Sequence, residues 1–267
     1  MPKYQAISGE RHANKHYQNS TTYTFASANI IVQLVASELP KAIMSLPVGF
    51  IKQAGGFIPV AVLGFQHGVN LLVAPDGRWI GPYVPLVFRA YPFRLELTEN
   101  SQKVLSIDED SGLLGNGSEG ERLFTEEGLL SRSVLDILNF LNQIDQSRLV
   151  TRVGCSIFQE YGLIRTWPIT LKAYSGEQQI RGLFQIDEAA FNRLSDEALL
   201  RVREAGALPI VYCQLLSKQN LSFLGQLAEE RVKVLTETLS VRNIVSGSDL
   251  NLELLNDSGT INFEGLG

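Results

Sequence analysis

"GRWIGPYVPLVFRAYPFRLEL", residues 77–97, sets three arginines, five aromatic rings and three prolines in 21 positions. Three readings compete for it: an irregular binding loop, a basic nucleic-acid patch, or core structure with a few charges facing one way. Its periodicity selects the third. Pro82 is tolerated in a first helical turn, where the missing N–H costs nothing. Tyr83, Leu86, Val87, Ala90 and Tyr91 then fall at i, i+3, i+4, i+7 and i+8, the stripe of an amphipathic helix, which Pro92 stops. Phe93, Leu95 and Leu97 alternate with Arg94 and Glu96, the pattern of a half-buried strand. "TENSQ" (98–102) turns the chain into a second strand, "KVLSI" (103–107).

Upstream, "TTYTFA" (21–26) reads as a short strand. "IIVQLVASELPKAIMSL" (30–46) has helical spacing at Ile31, Leu34, Val35 and Leu39, interrupted at Pro40. Three strands follow, "LPVGFIK" (46–52), "FIPVAVLGF" (57–65) and "VNLLVAP" (69–75), punctuated by the turn signals "AGG" and "PDG". Downstream, "DEDSGLLGNGSEGE" (108–121) is a polar loop. A long helix runs from Ser131 to Gly162 through Val134, Leu138, Leu141, Val153 and Ile157. "WPITLKAY" and "IRGLFQI" form a hairpin around "SGEQQ". "SDEALLRVREAG" (195–206) is a helix with Ser195 as N-cap, acids in its first turn and Gly206 past its end. "ALPIVYCQLLS" (207–217) reads as a buried strand and "LSFLGQLAEERVKVL" (221–235) as a closing helix.

The element order predicts an α+β fold, with a mixed or mainly antiparallel sheet packed against several helices. Residues 1–237 form one domain, with 125–165 as the place for any sub-division. Residues 238–267 are expected to be a mobile acidic tail. From Glu237 onward the balance is −4 in a chain of net charge −5, so the body is nearly neutral.

This charge argues against a nucleic-acid binder, which needs a basic surface to displace counterions. The longest apolar run lies near "FIPVAVLGF", short of the ~20 residues a spanning helix requires. "MPKYQAISGERHANKHYQ" lacks the apolar core of a secretory signal. Cys155 and Cys213 each sit in apolar surroundings, which suits buried thiols in a reducing compartment. The expectation is a cytoplasmic protein without membrane insertion.

Candidate chemistry is sparse. His12 and His16 stand at i, i+4, which on a helix makes half a metal site, and the plainer reading is two surface or interface histidines. "DEDSGLLGNGSE" offers Asp108, Asp110 and Glu119 at calcium-loop positions, but places Leu113 where the sharp turn needs glycine. Gly115, Gly117 and Gly120 spell G-x-G-x-x-G among carboxylates that would repel a pyrophosphate, so no cofactor is expected. Arg78, Arg89 and Arg94 are the most informative polar group. They come from a turn, a helix and the following strand, and they can converge on a carboxylate or phosphate in a pocket walled by Trp79, Tyr83 and Tyr91. The alternative is three snorkelling side chains, each paired with its own neighbours.

The chain resembles the SapC family of bacterial proteins. The matching runs are "RHANKHY", "YTFA", "NLLVAPDGRWIGPYVP", "RAYPFRL", "DEDSGLL", "WPITL", "LFQIDEAAFNRLSDEAL" and "GALPIVYCQLLS", collinear over most of residues 1–230. The resemblance implies association with a paracrystalline surface layer, or with neighbours such as outer-membrane TonB-dependent receptors, cupin-like oxygenases and halogenase-like proteins. It brings no catalytic residues with it. Two expectations stand. The first is a non-catalytic binding or adaptor protein with a protein or peptide partner, serving a surface-layer, peptide or uptake system. The second is an enzyme or enzyme subunit in peptide or aromatic modification, with His12, His16 and Asp110 the first residues to suspect. Oligomeric state is left open.

Overall fold

The computed structural model describes residues 3–117, 119–173, 176–246 and 261–262. In chain order the first elements are β1 (Tyr4–Ala6), α1 (Gly9–His12), β2 (His16–Tyr17), β3 (Ile31–Gln33), α2 (Leu39–Ala42), β4 (Val48–Gln53), β5 (Gly56–Val62) and α3 (Leu86–Arg89). Then come β6 (Phe93–Leu97), β7 (Lys103–Asp108), β8 (Leu114–Gly115), β9 (Glu121–Arg122), α4 (Arg132–Glu160), β10 (Ile164–Thr166) and β11 (Ile169–Ala173). The rest are β12 (Gly176–Arg181), β13 (Phe184–Ile186), α5 (Glu188–Phe191), α6 (Asp196–Glu204), α7 (Leu208–Ser217), α8 (Asn220–Ser246) and β14 (Ile261–Asn262). Helices and mainly antiparallel sheets are segregated along the chain, so the fold is α+β.

The largest sheet has the order β10-β13-β4-β5-β3 and is antiparallel throughout. The β4–β5 hairpin is its centre. Val60, Ala61 and Val62 are all buried, so β5 is covered on both faces and reads as a continuous apolar run. Phe50 from β4 meets Phe158 of α4 edge-on, with ring centroids 6.2 Å apart. A second antiparallel sheet, β1-β7-β6, lies at the other end, with the small sheets β8-β2-β9 and β11-β12-β14 at the margins.

Helix α4 ties the two ends together. Ser131 caps it, its hydroxyl accepting from Val134 N, and 29 residues give a rod of about 43 Å. Val134, Leu141 and Ile144 on its first half pack with Phe93, Leu105 and Ile107. Cys155, Ile157 and Phe158 on its second half join the main core with Phe50 and Val60. Midway, Thr151 Oγ1 and Ser147 Oγ accept the N–H groups of Ala36 and Ser37, at 2.7 and 3.1 Å, stapling the β3–α2 link to the helix.

Several local expectations give way. The 82–91 helix shrinks to Leu86–Arg89, because Pro85 (φ −54°, ψ 142°) is extended and keeps Val84 out of helical geometry. Pro40 does not interrupt a helix; it sits in the first turn of α2, and Ile31–Gln33 before it is a strand. "TTYTFA" closes into a 3₁₀ turn at Thr24–Ala26. "VNLLVAP" is a loop. Asn70 organises it from inside, donating to Ala26 O at 3.0 Å and accepting from Leu72 N at 2.9 Å. That loop presses so close that a Cβ on Gly64 would lie 1.9 Å from Val69 O. "IRGLFQI" divides: β12 pairs with β11 as expected, but β13 leaves for the large sheet.

The clearest correction is "ALPIVYCQLLS", which is helix α7. Pro209 lies in its first turn, and Ile210, Cys213, Gln214 and Ser217 share the buried face at helical spacing. The polar pair is the reason. Gln214 accepts from Ile186 N at 2.9 Å and donates to Val48 O at 3.2 Å, while Ser217 Oγ accepts from Val48 N at 3.0 Å. α7 thus supplies the hydrogen bonds that β4 and β13, paired at Phe184 and Phe50, do not supply to each other.

Helix α8 continues to Ser246, beyond the Thr238 boundary read from periodicity, and β14 pairs in parallel with β12. Asp249, Glu253, Asp257 and Glu264, the acids of the expected tail, lie outside the described residues.

Candidate functional site

Two segments far apart in sequence make the site's floor. Gly77 has a φ of 83°, and a Cβ there would stand 2.8 Å from Thr22 Cβ and Thr24 Cγ2. Glycine lets the backbones touch, and Tyr23 N donates to Gly77 O at 2.7 Å. The rings of 23 and 25 therefore land among those of 79–91. Tyr23 meets Trp79 at 5.6 Å, Trp79 meets Phe88 at 5.8 Å, and Phe88 meets Phe25 at 5.9 Å. Tyr91 stacks flat on Phe25 with centroids 3.8 Å apart. Phe88 is buried while Tyr23, Phe25, Trp79 and Tyr91 are half-buried, so the group forms a shelf with one open side.

Beneath the shelf lies Glu38, 2% exposed. Its Oε1 accepts from Val35 N at 3.0 Å, and its Oε2 accepts from Tyr83 Oη at 2.8 Å and Leu86 N at 2.9 Å. Burial raises the Glu38 pKa against the opposing pull of those donors, and burial beside this carboxylate raises that of the Tyr83 hydroxyl. Leu86 N is the first orphan donor of α3, so the carboxylate also caps that helix. Trp79 Nε1 donates to Tyr83 O at 2.8 Å. Tyr83 is thus a strut inside the shelf.

The three arginines each hold separate partners. Arg78, with its side chain 79% exposed, donates from Nε to Asp76 Oδ2 at 2.6 Å. Arg89 donates from Nε to Val84 O at 2.7 Å and lies over the Tyr83 ring at 4.8 Å. Arg94 pairs with Glu96 and stacks on Tyr4, 3.5 Å from the ring centroid. Arg78 and Arg89 flank the aromatic floor; Arg94 reaches across β7 to β1.

His12 and His16 do not share a helix face. α1 ends at His12, and His16 enters β2 opposite Gly115 and Arg122. His12 is fully buried, its Nδ1 accepting from Ser8 N at 3.2 Å. That bond assigns the proton to Nε2, which faces Glu109 Oε1 at 3.3 Å and leaves no lone pair for a metal. Desolvation lowers the His12 pKa. Arg11 clamps both Glu109 oxygens and holds that carboxyl down at about 2. Alongside, Asp108 accepts from Lys3 N at 2.9 Å, Asp110 N at 3.2 Å and Tyr91 Oη at 3.2 Å. The "DEDS" acids pin the N-terminal strand and the edge of the shelf. Among the described residues, no group of three or more His, Cys, Asp or Glu is placed to hold a metal.

Trp79, Tyr83 and Tyr91 come from one local stretch; Tyr23, Phe25 and Glu38 join them from outside it, and Asp108, a calcium-loop position by sequence, instead braces Tyr91. The alternating aromatics of "TTYTFA" were the one available signal. The chain matches no curated protein and no solved structure. A family model described as SapC matches residues 7–224, which takes in the shelf, the struts beneath it and the helices that carry them. On that match the chain belongs to the SapC family.

Proposed function

We propose that this chain is a non-catalytic binding protein that seats a protein or peptide partner on the aromatic shelf of residues 22–25 and 77–91. The observation that carries the reading is the shelf itself: five rings in mutual contact, open on one side, with two arginines at the rim. Aromatic side chains and arginine are the residues that dominate interface energetics. Two nearby acids support it too, because Arg11 clamps Glu109 and Asp108 accepts three hydrogen bonds that hold the fold. Asp110, suspected on the enzymatic reading, lends its backbone N–H to Asp108. Among the described residues no helix is long and apolar enough to cross a membrane, and both cysteines are buried free thiols. We take a reducing, cytoplasmic setting as the working context. Service to a surface-layer or uptake system is the role that family membership suggests.

The test is affinity capture from the native host with wild type, Arg78→Glu, Arg89→Ala and Trp79→Ala. The expected result is a stoichiometric partner lost by the variants while their circular dichroism is unchanged. The same partner retained by all three variants overturns the proposal.

A further inference from the structure

On the other side of α3 from Phe88, Val87 and Ala90 open onto a cavity of about 70 Å³ between α3, β6 and the first half of α4. Ala90, Phe93, Leu141 and Ile144 give it an apolar floor, and Arg94, Asp145 and Arg148 stand in its wall. The volume is about half that of the ~150 Å³ apolar cavity that admits benzene, so a short branched alkyl group fits it better than a ring.

The charges around it do not cancel. Asp145 is engaged by Lys103, and Glu96 by Arg94. Arg148 is left with a single contact, Nη1 to Asp145 Oδ1 at 3.5 Å, the outer limit of a hydrogen bond. Its Nε is shut from solvent without an acceptor. Lys103 and Arg148 therefore share the single carboxylate of Asp145, and the surplus cation is the one with the least satisfied donors. A small turn of the Arg148 side chain toward an incoming carboxylate would give the guanidinium the two-pronged partner it lacks.

We infer that this cavity binds a monocarboxylate carrying a short branched alkyl group, with the alkyl group on the Ala90–Phe93–Leu141–Ile144 floor and the carboxylate on Arg148. The same chemistry is offered by a free branched short-chain acid and by a peptide ending in leucine or valine. The site is separate from the aromatic shelf and does not depend on what that shelf holds.

The full chain is titrated by calorimetry and by ligand-observed NMR with 3-methylbutanoate, acetate, benzoate, Gly-Gly-Leu and Gly-Gly-Leu amide. The expected result is a dissociation constant on the order of 1 mM or below for 3-methylbutanoate or the free-acid tripeptide. Acetate, benzoate and the amide should bind at least about tenfold more weakly, since each lacks the alkyl group, the fit or the charge. Binding by the acid alone assigns a metabolite; binding by the tripeptide alone assigns a peptide terminus. Arg148→Gln and Ala90→Val should each weaken binding about tenfold or more, the first by removing charge and the second by filling the cavity. Failure of both acids to bind, equal binding of the amide, or wild-type affinity in Ala90→Val overturns the inference. The wild-type ligand series decides it even where a variant does not fold.

Discussion

The Tyr83 hydroxyl donates to Glu38 Oε2 at 2.8 Å between residues 45 positions apart, joining the strand-to-helix corner before α2 to the segment that runs through the aromatic shelf. Because the same carboxylate also receives Val35 N and Leu86 N, it holds three elements at once. Glu38→Ala leaves three buried donors unsatisfied and should cost about 3 kcal/mol or more in urea unfolding, whereas Tyr83→Phe should cost about 1 kcal/mol. Equal, small losses for both variants would show that the carboxylate is not the common anchor.

Acid should loosen the N-terminal segment in two steps. The folded pKa of His12 lies below 6.5 and that of Glu109 lies at about 2 against an ordinary 4.5. In both windows the unfolded chain binds more protons than the folded one. Their stabilisation is therefore complete above 6.5 and above 4.5 respectively, and is lost as pH falls toward the folded values. Glu38 runs the other way: its folded pKa is raised, so its contribution is complete below 4.5 and fades as pH rises through the folded value. In urea midpoints measured against pH, His12→Asn should flatten the slope just below 6.5, and Glu109→Gln the slope below 4.5. Curves parallel to wild type in those windows would contradict the assignment.

Gln214 offers a test of the fold itself. Replacing it by leucine keeps the volume but strands Ile186 N in the core and leaves Val48 O only Ser217 Oγ, at 3.3 Å, as a donor. The expected loss is about 2–4 kcal/mol, with the Ile186 amide losing its protection from hydrogen exchange first. An Ile186 amide as protected as in wild type would mean that β4 and β13 do not need the helix between them.

Much of the architecture was legible where a pattern is local. The strand at Phe93–Leu97, the Ser195 cap and the "AGG" turn each carry their own physical instruction and are found as read, except that Leu97 ends its strand 69% exposed. Residues 207–217 read as a strand because a continuous apolar run suits a buried strand and a buried helix equally. What separates them, Gln214 and Ser217 feeding hydrogen bonds to a sheet, depends on partners some 170 positions away. The site divides in the same way. Trp79, Tyr83 and Tyr91 stand out within their own stretch, and Tyr83 and Phe93, 5% and 3% exposed, face inward, although Tyr83 precedes the short helix instead of lying on its stripe. Their companions Tyr23, Phe25 and Glu38 are brought in by folding, and no spacing along the chain announces them.

Hydrogen–deuterium exchange of the full chain, alone and with the partner captured from its host, tests the binding role most directly. Partner-dependent slowing should concentrate on the amides of residues 22–25 and 77–91, with the edges of the large sheet unchanged. Slowing confined to other surfaces, with those two segments exchanging as in the free chain, would contradict it.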